Sequence, residues 1–136
     1  MSLLIALMLA QAGAAKVEPS SDCGISGVQS ELNQCAEQDF LVADQRLNAQ
    51  WLVTAAHMRQ RDVENRRYAS DDDRPGYFDQ LLGAQRAWLA FRDGHCASEG
   101  YWARGGSMEP MLVSGCKAAL TNARTEQLRQ LANWPD

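Results

Sequence analysis

The chain has 136 residues, 46% hydrophobic and 22% charged, a balance that suits one globular domain. Its 13 basic and 17 acidic residues give a formal net charge of -4. That excludes a general nucleic-acid binder, which needs a basic face to replace phosphate counterions, and four Pro with ten Gly are too few for a disordered or collagen-like chain.

Residues 3–10 (LLIALMLA) are an apolar run, followed by Gln11 and the small-residue stretch Ala12-Gly13-Ala14-Ala15. A short apolar core with an A-x-A ending predicts a secretory signal peptide over residues 1–15, cut after Ala14 or Ala15. The run is far below the ~20 residues of a membrane-spanning helix. No Lys or Arg precedes it, so either the α-amino group alone supplies the leading charge or the start lies upstream of Met1. No Cys directly follows the small residues, and Cys23 is preceded by Ser20-Ser21-Asp22, the wrong flank for lipid attachment. Residues 16–136 are therefore expected to form a single soluble domain, periplasmic or secreted, with no stable membrane anchor.

Export decides how the cysteines are read. Cys23, Cys35, Cys96 and Cys116 are even in number and all lie beyond the leader. In an oxidising compartment this pattern predicts two disulfides, and of the three possible connectivities the spacing selects none. The intervals hold 11, 60 and 19 residues, so the C-x-x-C of a metal or redox site is absent. His57 and His95 are isolated, and neither metal nor cofactor is expected.

The domain reads as three helices. From about Ser30 to Arg61, Leu32, Cys35, Ala36, Ala43, Leu47, Trp51, Ala55 and Met58 fall at the steps of one helical face, with Ser30 as the expected N-cap. The polar segment NRRYASDDDRPGY is the one clear loop. Asp73 is expected to cap a second helix from about Arg74 to Trp102, with Pro75 in its first turn. Leu81, Leu82, Trp88, Leu89, Phe91 and Cys96 are its expected buried members. Gly105-Gly106 breaks it, and Ser107 is expected to cap a third helix running to about Ala132. That helix carries Met111, Leu112, Cys116, Ala119, Leu120, Ala123, Leu128 and Leu131 at helical spacing. No sustained alternating stretch predicts a strand. The fold class is all-α, a small bundle of about three helices with antiparallel neighbours, stapled by two disulfides.

No catalytic constellation stands out. There is no G-x-S-x-G and no Gly-rich phosphate loop, and the acidic pairs Asp39/Asp44 and Asp93/Glu99 lack a predicted cleft. Arg86, Trp88 and Arg92 lie together on the second helix. They predict a half-buried ion pair in which Arg86 or Arg92 meets an acidic residue of the first helix such as Asp44. Asp71, Asp72 and Asp73 are the densest acidic feature, and Trp102 and Trp134 are the alternative sites for an apolar contact.

Three blocks resemble the LprI-like N-terminal domain family of exported bacterial proteins. The first helix offers S-E-L-N-Q-C-A (30–36) and A-D-Q-R-L-N (43–48); the second offers A-Q-R-A-W-L-A-F-R-D-G-H-C (84–96). The last block is G-G-S-M-E-P (105–110), then Cys116 and L-T-N-A-R-T-E-Q-L (120–128). The family takes its name from a lipoprotein described as a lysozyme inhibitor. The resemblance implies a helical, non-enzymatic exported protein with lysozyme as its partner, and a cell-envelope binding module with another partner is the alternative. Lysozymes are strongly basic, so the exposed Asp71, Asp72 and Asp73 are the candidate contact.

Overall fold

The computed structural model describes residues 23–66 and 71–135. Three helices follow one another in an up-down-up bundle: α1 (Gln29–Glu64), α2 (Tyr77–Gly100) and α3 (Glu109–Ala132). A 3-10 turn, Tyr101–Ala103, leads out of α2, and no strand occurs among the described residues. The all-α expectation holds. The leader expected at residues 1–15 lies outside the described residues, within which no helix is long and apolar enough to cross a membrane.

With 36 residues, α1 is the spine, about 54 Å long. α2 returns antiparallel to it, whereas α3 runs parallel to α1 and makes the most extensive contact with it. Hydrogen bonds show this direction: Gln29 reaches Met111 near the start of both helices, and Thr54 reaches Leu128 farther along. Leu47, Met58, Leu81 and Leu128 form the centre, with Trp51, Phe78, Trp88 and Leu131 packed against it. Each fully buried side chain of this size contributes ~1.5–3 kcal/mol. Such a small core leaves a large share of the stability to the cross-links.

Several expected core positions lie outside. Leu89, Phe91, Ala119 and Ala123 are exposed. The covered stripe of α2 is narrow, running through Leu81, Gln85, Arg92, Cys96 and Gly100, and Leu89 and Phe91 fall to either side of it. Polar residues fill the vacated interior: Thr54, Gln85, Arg92 and Thr121 are all buried. Thr54 satisfies itself locally, its hydroxyl donating to the Leu128 carbonyl at 2.8 Å and accepting from Gln50 Nε2 at 3.1 Å. A buried hydroxyl with both partners present avoids the desolvation cost of an orphan.

The expected caps are replaced by other groups. α1 begins at Gln29, so Ser30 sits inside it, behind Val28 in the cap position. α2 begins only at Tyr77, leaving Asp73 and Pro75 in the preceding segment. Its cap comes from α1, because the Asp62 carboxylate accepts the N–H groups of Tyr77 at 2.7 Å and Phe78 at 3.1 Å. An anion there also complements the helix dipole. The approach is close enough that a Cβ on Gly76 would lie 2.7 Å from Asp62 Oδ1, which accounts for a glycine at that position. At α3 the cap position is Met108, not Ser107, and Glu109 in the first turn accepts the Gly105 N–H at 2.7 Å. Ser107 instead offers its carbonyl to Asn33 of α1 at 2.9 Å, docking the glycine turn onto the spine.

The disulfides are Cys23–Cys35 and Cys96–Cys116, with Cα separations of 5.6 and 5.4 Å. The first ties the entering segment to α1, and the second ties α2 to α3 at the same end of the bundle. Removing the second as Cys96→Ser/Cys116→Ser opens a 20-residue loop. We expect this to cost about 3 kcal/mol and to lower the melting temperature by roughly 10–15 °C, measured by circular dichroism. An unchanged midpoint would contradict the structural role of that bridge.

Candidate functional site

Arg92 lies one turn before Cys96 and is only 7% exposed. Its Nη1 is 3.6 Å from Asp44 Oδ1 of α1, and its Nε donates to Asp93 at 3.0 Å. Nη1 also donates to the Thr121 hydroxyl of α3 at 3.4 Å. The guanidinium faces the Phe40 ring at 5.1 Å and the Trp88 ring at 5.2 Å. Lys117 closes the cluster, 3.8 Å from Asp93. All three helices thus meet on one side chain. Arg86 does not join them: it is exposed, so of the two arginines expected for the ion pair with α1 it is Arg92 that lies beside Asp44. Six positions before Arg92, at about 100° per residue, it is turned roughly 120° away from that stripe.

Asp71, Asp72 and Asp73 are all exposed. Asp72 is held by Arg74, accepting from its Nη2 at 2.6 Å, its Nε at 2.8 Å and its backbone N–H at 3.1 Å. These bonds lower the Asp72 carboxyl to about 2 and raise the Arg74 guanidinium. In sequence, Arg66, Arg67 and Arg74 match the three Asp, so the segment as a whole is electrically balanced. It borders a groove of about 620 Å³ lined by Asp62, Asn65, Asp72, Arg74 and Tyr77, among others. The carboxylate of Asp62 inside that groove is taken up by the α2 cap.

The disulfide end has a different surface. A second groove of about 530 Å³ runs beside Gly105-Gly106, with Glu37, Glu109, Asn33 and Ser114 among its lining residues. Nearby in sequence, Trp102 is 92% exposed, and Phe91 stacks on His95 with ring centroids 5.2 Å apart. Trp134 at the far end of α3 is also exposed.

All four cysteines are in disulfides, so no thiolate is offered. His95, Glu99 and Cys116 have donor atoms within 4.8 Å of one another, yet the Cys116 sulfur is bonded to Cys96 and is closed to a metal. His95 and Glu99 form an exposed pair at 3.2 Å within one helix. Sequence reasoning missed Phe40, Thr121 and Lys117 in the Arg92 cluster and Asp62 at the α2 cap. Only the helical spacing of Phe40 to Asp44 hinted at any of them.

Residues 21–128 match the family model described as "Lysozyme inhibitor LprI". An uncharacterized protein of Rhizobium meliloti (strain 1021) is 44% identical over 127 residues, covering 92% of this chain and 88% of that one. No solved structure matches the chain. The matched span includes both disulfides, the Arg92 cluster and Asp71, Asp72 and Asp73.

The Arg74 pair has a testable signature. Because the Asp72 carboxyl is lowered in the fold, its ion pair supports the folded state above the ordinary carboxylate range and is lost as pH falls through about 2. A carbon-13 titration should place its midpoint near 2, and Arg74→Gln, which removes the guanidinium but keeps the backbone N–H bond, should raise it part of the way toward the ordinary range. An unmoved midpoint in that variant would show that Arg74 is not the cause.

Proposed function

This chain belongs to the lysozyme inhibitor LprI family, and we propose that it is an exported, non-enzymatic protein that binds a basic lysozyme and slows its action. The family match over residues 21–128 is the observation that carries the reading. The net charge of -4 supports it, being opposite to that of the proposed partner. The two disulfides suit an oxidising periplasmic or extracellular compartment, to which the leader at residues 1–15 would deliver the chain.

In this reading the loop of Asp71, Asp72 and Asp73 is the contact, with Asp72 stiffening it through Arg74 while Asp71 and Asp73 meet the partner. Complementary charge raises the rate of encounter more than it deepens affinity. Exposed charges are screened beyond ~8 Å at physiological ionic strength, so association should weaken as salt rises. The alternative is an envelope-binding module that uses an apolar contact. The exposure of Trp102 favours that second surface, on which binding would be indifferent to salt.

A lysis assay with the purified mature chain, paired with association kinetics, separates these readings. We expect inhibition, and Asp71→Asn/Asp73→Asn should slow association by about threefold at low salt while leaving dissociation nearly unchanged. Inhibition that ignores salt and both substitutions would move the contact to Trp102. No inhibition at large molar excess over several lysozyme types would remove the inhibitor reading.

A further inference from the structure

Around the Cys96–Cys116 bridge the fold gathers more than two sulfurs. His95 and Glu99 flank Cys96 within one turn of α2. A ring nitrogen of His95, a carboxylate oxygen of Glu99 and the Cys116 sulfur all lie within 4.8 Å of one another. Cys96 Sγ, bonded to Cys116 Sγ, stands in the same cluster. Two sulfurs, an imidazole and a carboxylate are donors of the types that hold Zn²⁺. Tetrahedral ligands at ~2.0–2.3 Å from the metal lie ~3.3–3.8 Å from one another. His95 Nε2 and Glu99 Oε1 are already 3.2 Å apart. The Cα atoms of the two cysteines, 5.4 Å apart, leave room for their sulfurs to part from bonding distance to that spacing. Phe91, stacked on His95, holds the imidazole in place. The cysteines are buried, whereas the His95 and Glu99 side chains are 43% and 53% exposed, so the cluster opens to solvent on that side. Among the described residues no such group forms at Cys23–Cys35.

We propose that this cluster is a redox-gated zinc site: with the bridge reduced, Cys96, Cys116, His95 and Glu99 bind one Zn²⁺, and forming the bridge expels it. Every disulfide starts as two thiols, so the chain passes through that state before it is oxidised. There each thiol gives its proton to solvent as its sulfur takes up the metal. Oxidation runs by exchange with the disulfide of an oxidant. The two cysteine sulfurs form the Cys96–Cys116 bond, the oxidant's S–S bond breaks, its sulfurs take the electron pair and two protons, and Zn²⁺ leaves. His95 and Glu99 are then left as the exposed pair of the oxidised structure. The gain is structural: α2 and α3 are tied at one point in either state, by the metal before oxidation and by the S–S bond after it. The site stands independently of the lysozyme reading.

Zn²⁺ titrated into the full chain, reduced anaerobically with a phosphine, tests this. We expect one Zn²⁺ per chain and a rise in the thermal midpoint of the reduced protein, read by circular dichroism, with no binding to the oxidised protein. Co²⁺ in place of Zn²⁺ should give the absorption of a tetrahedral site with sulfur-to-metal charge transfer. His95→Ala and Glu99→Ala, both at exposed positions, should leave the midpoint of the oxidised protein unchanged and weaken Zn²⁺ binding by about tenfold or more. Cys96→Ser/Cys116→Ser, which retains the other two thiols, should abolish it. Reduced protein that binds no Zn²⁺ would overturn the proposal, as would equal binding to the oxidised chain. Binding that ignores His95→Ala and Glu99→Ala, or that survives Cys96→Ser/Cys116→Ser and so belongs to Cys23 and Cys35, would overturn it as well.

Discussion

One buried guanidinium constrains how the three helices can sit. A charge removed from water is costly unless it is paired and hydrogen-bonded. Arg92 finds its partners on every side: Asp44 from α1, Asp93 on its own helix, Thr121 from α3, and the rings of Phe40 and Trp88. Sliding α2 by one residue would rotate its face by about 100° and strand the guanidinium. One turn away, Cys96 is bonded to Cys116, so the register that satisfies Arg92 is also the one that the disulfide locks.

The remaining contacts extend from that layer toward the two ends. Along α1 and α3, Leu47, Met58 and Leu128 fill the parallel seam, and Thr54 reaches across to a backbone carbonyl. At the end away from the disulfides, Asp62 receives the first N–H groups of α2 and so sets where the chain turns back. The aspartate loop projects beside this corner, with Asp72 fastened to Arg74.

Helical spacing made the three helices and their order legible, because apolar residues at steps of three and four have one physical solution. It overcalled the core where the pattern was populated but the cover was thin. Phe91 fits the periodicity of α2, yet it is 57% exposed because the bundle covers only a narrow stripe of that helix. The interior polar residues were hidden for the opposite reason: Thr54 and Thr121 read as surface until their partners are known. Arg86 and Arg92 are indistinguishable as sequence and differ only in which way the helix turns them. The cap at Asp73 failed because a local rule cannot anticipate a carboxylate supplied from another helix, as Asp62 supplies α2, whereas Ser30 and Ser107 miss because α1 starts earlier and α3 later than those caps require. Disulfide pairing stayed open in the sequence because all four cysteines converge on one end of the bundle.

Unfolding of an Arg92→Ala variant in urea measures the organising contribution of that side chain most directly. Asp44 and Asp93 keep partial access to water, with side chains 37% and 54% exposed, which places the expected loss below the full penalty of a wholly buried pair. The expected loss is about 2–3 kcal/mol with a cooperative transition retained. A change within ~0.5 kcal/mol, as at an ordinary surface arginine, would contradict it.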